Sequence, residues 1–212
     1  MGTSERRKRE KERKEQEIID AARELFFKKG YTATSMDEIA AKVELSKGAV
    51  YLQFPSKEEV YYAVVKGGMA IIRDDFLVAQ KRGKGLAQLE AIGKAYIDFW
   101  TERSDYRRLM HENIGGTNPL ESGPQGRAYA QLAGECNEIM VRSIKNGIED
   151  GSIRPDIQPE RFAFCLSSMT DGILARTESK GWSGRDDRFR EEMLSYATQI
   201  MRDMASAGCV KK

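Results

Sequence analysis

The chain has 212 residues, of which 40% are hydrophobic and 32% charged, and its 35 Lys+Arg nearly cancel its 33 Asp+Glu. That length suits one or two domains with a substantial core, and the balanced charge supplies no global cationic field, so any nucleic-acid function has to be local. The longest uncharged stretches are 9 residues, at 48–56, 162–170 and 193–201, far short of the roughly 20 apolar residues that a membrane-spanning helix needs.

The N-terminus turns charged at once, with no apolar segment to serve as a secretory signal. Three widely spaced cysteines (Cys136, Cys165, Cys209) form no CxxC pair, and His111 is the one histidine. Neither a zinc site nor a disulfide framework is indicated, and a reducing cytoplasm is the expected setting. There is no HExxH, no GxSxG and no glycine loop to cradle phosphate, so no enzyme, cofactor or metal is expected. Scarce proline and abundant Ala, Glu, Lys, Arg, Leu and Met predict an all-α fold.

Residues 1–16 form a charged arm in which seven Lys or Arg face four Glu. It reads equally well as a solvated helix start and as a basic arm that touches a phosphate backbone. Ile18, Ala22, Leu25 and Phe26 then take up helical spacing, and Gly30 suits the left-handed residue that ends a helix. Thr34 or Ser35 is placed to cap a second helix, Met36 to Val43, with Asp37 and Glu38 in its first turn. After Glu44 and Leu45, Ser46 caps a third short helix, Lys47 to Gln53, with Val50 and Phe54 facing inward. Pro55 stops it, and Ser56 caps a fourth helix opening with Lys57. Two short helices joined by a tight turn are a helix-turn-helix, whose second helix enters the DNA major groove.

Beyond Lys57 the chain reads as a bundle of longer helices. One runs from Lys57 toward Gln80, one from Leu86 to about Arg103, and a short one covers Tyr106 to Asn113. A loop spans Gly115 to Gly126, a long helix carries Tyr129 to Ile144, and Pro155 and Pro159 mark a further loop. Two last helices are expected at about 160–179 and 187–205. The expected domains are a charged arm (1–16), a helix-turn-helix head (17–56) and a helical body (57–212). Residues 1–57 carry a net charge of +3 and the remainder −1, which suits a DNA-binding head on a near-neutral body.

The stretch YTATSMDEIAAKVELSKGAVYLQFPSKEEV, residues 31–60, closely resembles the DNA-binding domain of the tetracycline-repressor (TetR/AcrR-like) family of bacterial transcription regulators. The resemblance rests on Thr34-Ser35, on Ser46 to Tyr51 and on Phe54 to Glu59. It implies DNA contacts from Thr34, Ser35, Ser46, Lys47, Gly48, Ala49, Tyr51, Leu52, Gln53 and Lys57. Hydroxyls and N–H groups at helix N-termini suit phosphate, Gln53 could read adenine, and Leu52 offers apolar contact only. Glu44 stands where the family commonly has glycine, so a left-handed turn position there has to tolerate a side chain. The body is similar to the family only in helix count, length and the loop GSIRPDIQPE.

The family likeness also implies a homodimer through the last two long helices, using Phe162, Leu166, Met169, Gly172, Ile173, Phe189, Met193, Ala197, Ile200 and Met204. It implies an effector pocket as well, for which Tyr96, Phe99, Trp100, Met110, His111, Tyr129, Cys136, Met140 and Phe164 are the candidates. Aromatic and Met walls suit a small apolar or amphipathic ligand. The partners expected are operator DNA, that effector and a second copy, with no membrane. Repression relieved by ligand is the expected function. The alternatives are a helix-turn-helix protein acting through other proteins, and an activator of the same fold.

Overall fold

A computed structural model describes residues 3–111, 118–178 and 187–206. Among them all regular structure is helical, apart from an isolated antiparallel bridge between Ile153 and Ser206. The helices are α1 (Thr3–Lys29), α2 (Met36–Lys42), α3 (Lys47–Gln53), α4 (Lys57–Ala79), α5 (Gly85–Glu102), α6 (Ser104–His111), α7 (Pro124–Glu149), α8 (Pro159–Glu178) and α9 (Asp187–Ala205).

Three boundaries differ from expectation. The charged arm is the beginning of α1, which runs without a break from Thr3. Pro124 and Pro159, expected in loops, open α7 and α8. Proline is accommodated at the first helical position because the N–H it lacks has no intrahelical acceptor there. The end of the short helix expected at 106–113 falls partly outside the described residues.

The chain divides into two compact units, Met1–Ala70 with Ser104–Leu132, and Ile71–Arg103 with Ala133–Lys212. The expected boundary after residue 56 does not coincide with this division. The reason lies in the core of the first unit, where Val60, Tyr61, Val64 and Val65 of α4 and Leu109 of α6 share one buried cluster with Ile18, Phe26, Ile39, Val50 and Phe54. A head in which two of the three helices have only 7 residues buries little apolar surface by itself, and the first turns of α4 complete it. Tyr31 and Tyr61 stack edge to face within it, with ring centroids 5.4 Å apart.

In the second unit, Leu89, Ile144, Ile153, Ala163, Met201 and Ala205 form a core from α5, α7, α8, α9 and the loop after α7. The start of α5 is held by that same loop, since Ser152 Oγ accepts the Leu86 N–H at 2.9 Å.

Candidate nucleic-acid interface

Both helices of the expected reading motif are capped by serine. At α2, Ser35 Oγ accepts the Glu38 N–H at 3.2 Å, while the Glu38 carboxylate accepts the Ser35 N–H at 2.9 Å, completing a capping box. Lys29 bonds the same carboxylate, and with the Ser35 donors it lowers the Glu38 pKa to about 2. At α3, Ser46 Oγ accepts the Ala49 N–H at 3.2 Å.

The turn between them is a helix-ending motif with an unusual residue in it. Leu45 N–H bonds Ala40 O at 3.0 Å and Glu44 N–H bonds Ala41 O at 3.2 Å, the paired bonds that close a helix around a left-handed residue. That residue is Glu44, at φ 56°, in a place that favours glycine. Leu45 packs onto the head core, so the motif also directs the chain inward before α3 begins.

Of the seven residues of α3, Val50 is buried, and Lys47, Gly48, Tyr51 and Leu52 are exposed. Leu52 is 82% exposed, so an apolar side chain stands in solvent on the helix expected to meet DNA. Lys47 lies 2.8 Å from an Asp37 carboxylate oxygen, and that contact raises its pKa. Ser35 and Ser46 are exposed beside it, and Ala49 is half-buried. A side chain at Gly48 would meet nothing within 4 Å, so the surface there is open.

Three expected DNA contacts are placed elsewhere. Thr34 is buried and its hydroxyl donates to Gly30 O at 2.8 Å, closing the end of α1 rather than facing outward. Lys57 turns inward: its ammonium donates to the carbonyls of Tyr31 and Thr34, each at 2.9 Å, and lies 4.2 Å from the Tyr31 ring centroid. Burial, followed by the charge of Lys29, lowers its pKa. Gln53 is half-buried, and its Oε1 is enclosed with no hydrogen-bond partner among the described residues. Helix periodicity explains this last case, because Gln53 follows Val50 by three residues and shares its inward side.

Sequence reasoning missed Glu59. It is buried, and its carboxylate accepts the N–H groups of Gln125 at 3.2 Å and Gly126 at 3.4 Å, so α4 caps the first turn of α7. Gly123 permits this approach at φ 115°, since a Cβ there would lie 2.7 Å from Glu59 Cδ. The available signal was Gly123-Pro124, a glycine just before a proline helix start.

The nine expected effector residues do not assemble in one unit. Met110 and Tyr129 pack on the core of the first. Tyr96, Phe99, Trp100, Cys136 and Met140 belong to the second. There Trp100 stacks edge to face on Tyr96 and on Phe99, with centroids 5.7 and 4.9 Å apart. The Tyr96 hydroxyl donates to Asp171 at 2.6 Å. Burial pushes the Cys136 thiol up to about 12, which keeps it unreactive. Phe164 is 70% exposed on α8, one residue beyond the fully buried Ala163, and so faces out. The side chain of His111 lies outside the described residues. An open depression of about 330 Å³ in the second unit is lined by Lys84, Gln88, Asn146, Glu149, Asp150 and two glycines. Apart from the glycines its lining residues are polar or charged, and it contains none of the nine.

The expected dimer residues also split. Ala197 is buried within the chain itself, and Phe162 and Leu166 pack against the core of the second unit. Met169, Ile173, Phe189, Met193 and Ile200 are half-buried. Of the stripes expected as apolar surplus, Phe162, Leu166 and Ala197 are thus used by the chain's own packing, and the half-buried members keep part of their surface open. Gly172 and Met204 are exposed, and so are Phe164, expected at the effector site, and Tyr196, which is in neither expected set.

Residues 18–64 match the family described as "Bacterial regulatory proteins, tetR family". The chain is 34% identical to the uncharacterised HTH-type transcriptional regulator YfiR of Bacillus subtilis, over 79% of this chain and 81% of that one. It is also 34% identical to the transposon Tn10 TetC protein of Escherichia coli, over 61% of this chain and 65% of that one. Among solved structures, the transcriptional regulator FadR from Bacillus subtilis in complex with stearoyl-CoA superposes with a TM-score of 0.67 at 14% identity, covering 91% of this chain and 98% of that one. At that identity the likeness concerns the fold alone.

Proposed function

The chain belongs to the tetR family of bacterial regulatory proteins and is a helix-turn-helix transcriptional regulator, and from that premise we propose that it represses transcription at a duplex operator and is released by a small apolar or amphipathic effector. One observation carries the reading: α3 buries Val50 alone and leaves Lys47, Gly48, Tyr51 and Leu52 outside, with capped helix N-termini at Ser35 and Ser46 beside them. That face can give phosphate two helix N-termini and a cation, and can give thymine an apolar contact from Leu52.

In this reading residues 17–56 recognise DNA and residues 57–212 bind the effector and dimerise. A second copy is proposed to pack on the outer sides of α8 and α9 at Phe164, Gly172, Tyr196 and Met204, four exposed positions of which three are large and apolar. Two-fold symmetry would set two copies of α3 about 34–36 Å apart, one helical turn of DNA. For the effector, Tyr96, Phe99, Trp100, Cys136 and Met140 are the proposed walls.

The test is selection of binding sites from a random duplex pool with the full chain, followed by release of the selected duplex with a panel of acyl-CoA chains and other amphipathic small molecules. An enriched inverted repeat with half-sites one turn apart, released by some member of the panel, is expected. Recovery of no sequence above the input pool would reject DNA reading and favour action through other proteins.

A further inference from the structure

α1 outlasts the domain it belongs to. Its buried side begins at Ile18, and every residue from Ser4 to Arg13 is exposed. At 1.5 Å per residue those ten residues make about 15 Å of helix, and Ser4 lies about 21 Å along the axis from Ile18, the first core contact. Nothing in the packing of the head requires them. Between Ser4 and Lys14 seven Lys or Arg stand against three Glu, a net of +4, whereas the whole chain has a net of +2. The chain's positive charge is therefore concentrated on an element that does no folding work.

We propose that this extension of α1 is a second DNA-contacting element, whose basic side chains dock on duplex phosphates in addition to those reached by α3. The proposal rests on the DNA-binding function proposed for α3. Ion pairs within the helix join Lys8 to Glu12 at 3.9 Å, Lys14 to Glu10 at 3.1 Å and Arg13 to Glu17 at 2.6 Å. They hold the extension helical, and as exposed pairs they give way readily to phosphate. Arg6, Arg7 and Lys11 enter no ion pair among the described residues. At 100° per residue, Arg7, Lys11 and Lys14 fall on the side of the helix that carries Ile18, Ala22 and Leu25. The side that faces the core within the head thus continues beyond its edge as a basic stripe.

The composition selects the partner. No apolar residue occurs between Ser4 and Gln16, so the extension has no side to bury in a lipid interface and no anchor for a protein pocket. A cationic rod without apolar content matches a polyanion of regular spacing, which is what duplex DNA presents.

The test compares the full chain with its Arg6→Ala/Arg7→Ala/Lys11→Ala variant on two probes, the selected operator duplex and a duplex of random sequence. Affinity is measured by fluorescence anisotropy over a series of salt concentrations. Alanine keeps the helix and no buried residue is touched, so circular dichroism should be unchanged. The expected result is weaker binding to both probes by a similar factor, with the log–log salt slope smaller by about 0.9 for each phosphate no longer neutralised, or about 2–3 per bound protomer. A variant equal to the full chain in affinity and slope overturns the proposal while leaving DNA binding intact. A weaker variant with an unchanged slope overturns it too, because the loss then has no phosphate origin. If the full chain itself shows no salt-dependent binding to either duplex, the DNA-binding function falls and this inference with it.

Discussion

Lys57 lies 4.2 Å from the centroid of the Tyr31 ring and donates to the Tyr31 carbonyl at 2.9 Å, with a second bond to Thr34 O. A lysine that looks like a free cation for DNA is therefore a clasp between the start of α4 and the loop that enters α2. Lys57→Met should lower stability by about 1–3 kcal/mol, because two partly buried carbonyls lose their donor. The salt slope of DNA binding should not change. Chemical denaturation and salt titration of the same variant measure both, and a reduced slope at unchanged stability would return Lys57 to the DNA face.

Glu44 occupies the left-handed position that closes α2, at φ 56°. A side chain there costs about 1–2 kcal/mol, and glycine would give back roughly half of that gain through its greater freedom in the unfolded chain. Glu44→Gly should therefore raise stability by up to about 1 kcal/mol, read as a higher urea midpoint with the same m-value. A lower midpoint would mean that the Glu44 side chain makes a stabilising contact of its own.

Gly123→Ala should be costly. Its φ is 115°, and the added Cβ would meet Glu59 at 2.7 Å. A loss of about 2 kcal/mol or more is expected. Glu59→Gln should cost about 1–2 kcal/mol by weakening a charged cap. The two substitutions act on one contact, so their effects should not add in a double-mutant cycle. Additive losses would show that Gly123 does not serve the Glu59 contact.

Asp37 holds Lys47 at 2.8 Å on the exposed face of the head. Lys47→Ala should weaken operator binding and reduce its salt slope by about 0.9, and Tyr51→Phe should weaken binding without unfolding the head. Asp37→Asn should do the opposite, since it removes a negative charge from the face and releases the lysine. Operator affinities unchanged in all three variants would remove α3 from the DNA interface.

Local grammar made the head legible in the sequence. Ser35, Ser46, Gly30 and Pro55 act within one helical turn of where they stand, so they specify α1, α2 and α3 and the left-handed turn at Glu44 without any distant partner. The same locality explains why Val50 and Phe54 were foreseen as core. What the sequence could not decide is which of two uses a long polar side chain takes. Lys47 and Lys57 are both lysines near a serine cap, and only the packing of α4 against the Tyr31 loop turns the second one inward. Apolar stripes on α8 and α9 were equally ambiguous, because helical spacing reports that a side is buried and not what buries it. Tertiary packing drew Phe162, Leu166 and Ala197 into the chain's own core, left Met169, Ile173, Phe189, Met193 and Ile200 half-buried, and left Phe164, Tyr196 and Met204 outside. Glu59 belongs to the same class. A carboxylate at the start of α4 and a helix start 65 residues later become one capped junction only when the fold brings them within hydrogen-bonding distance.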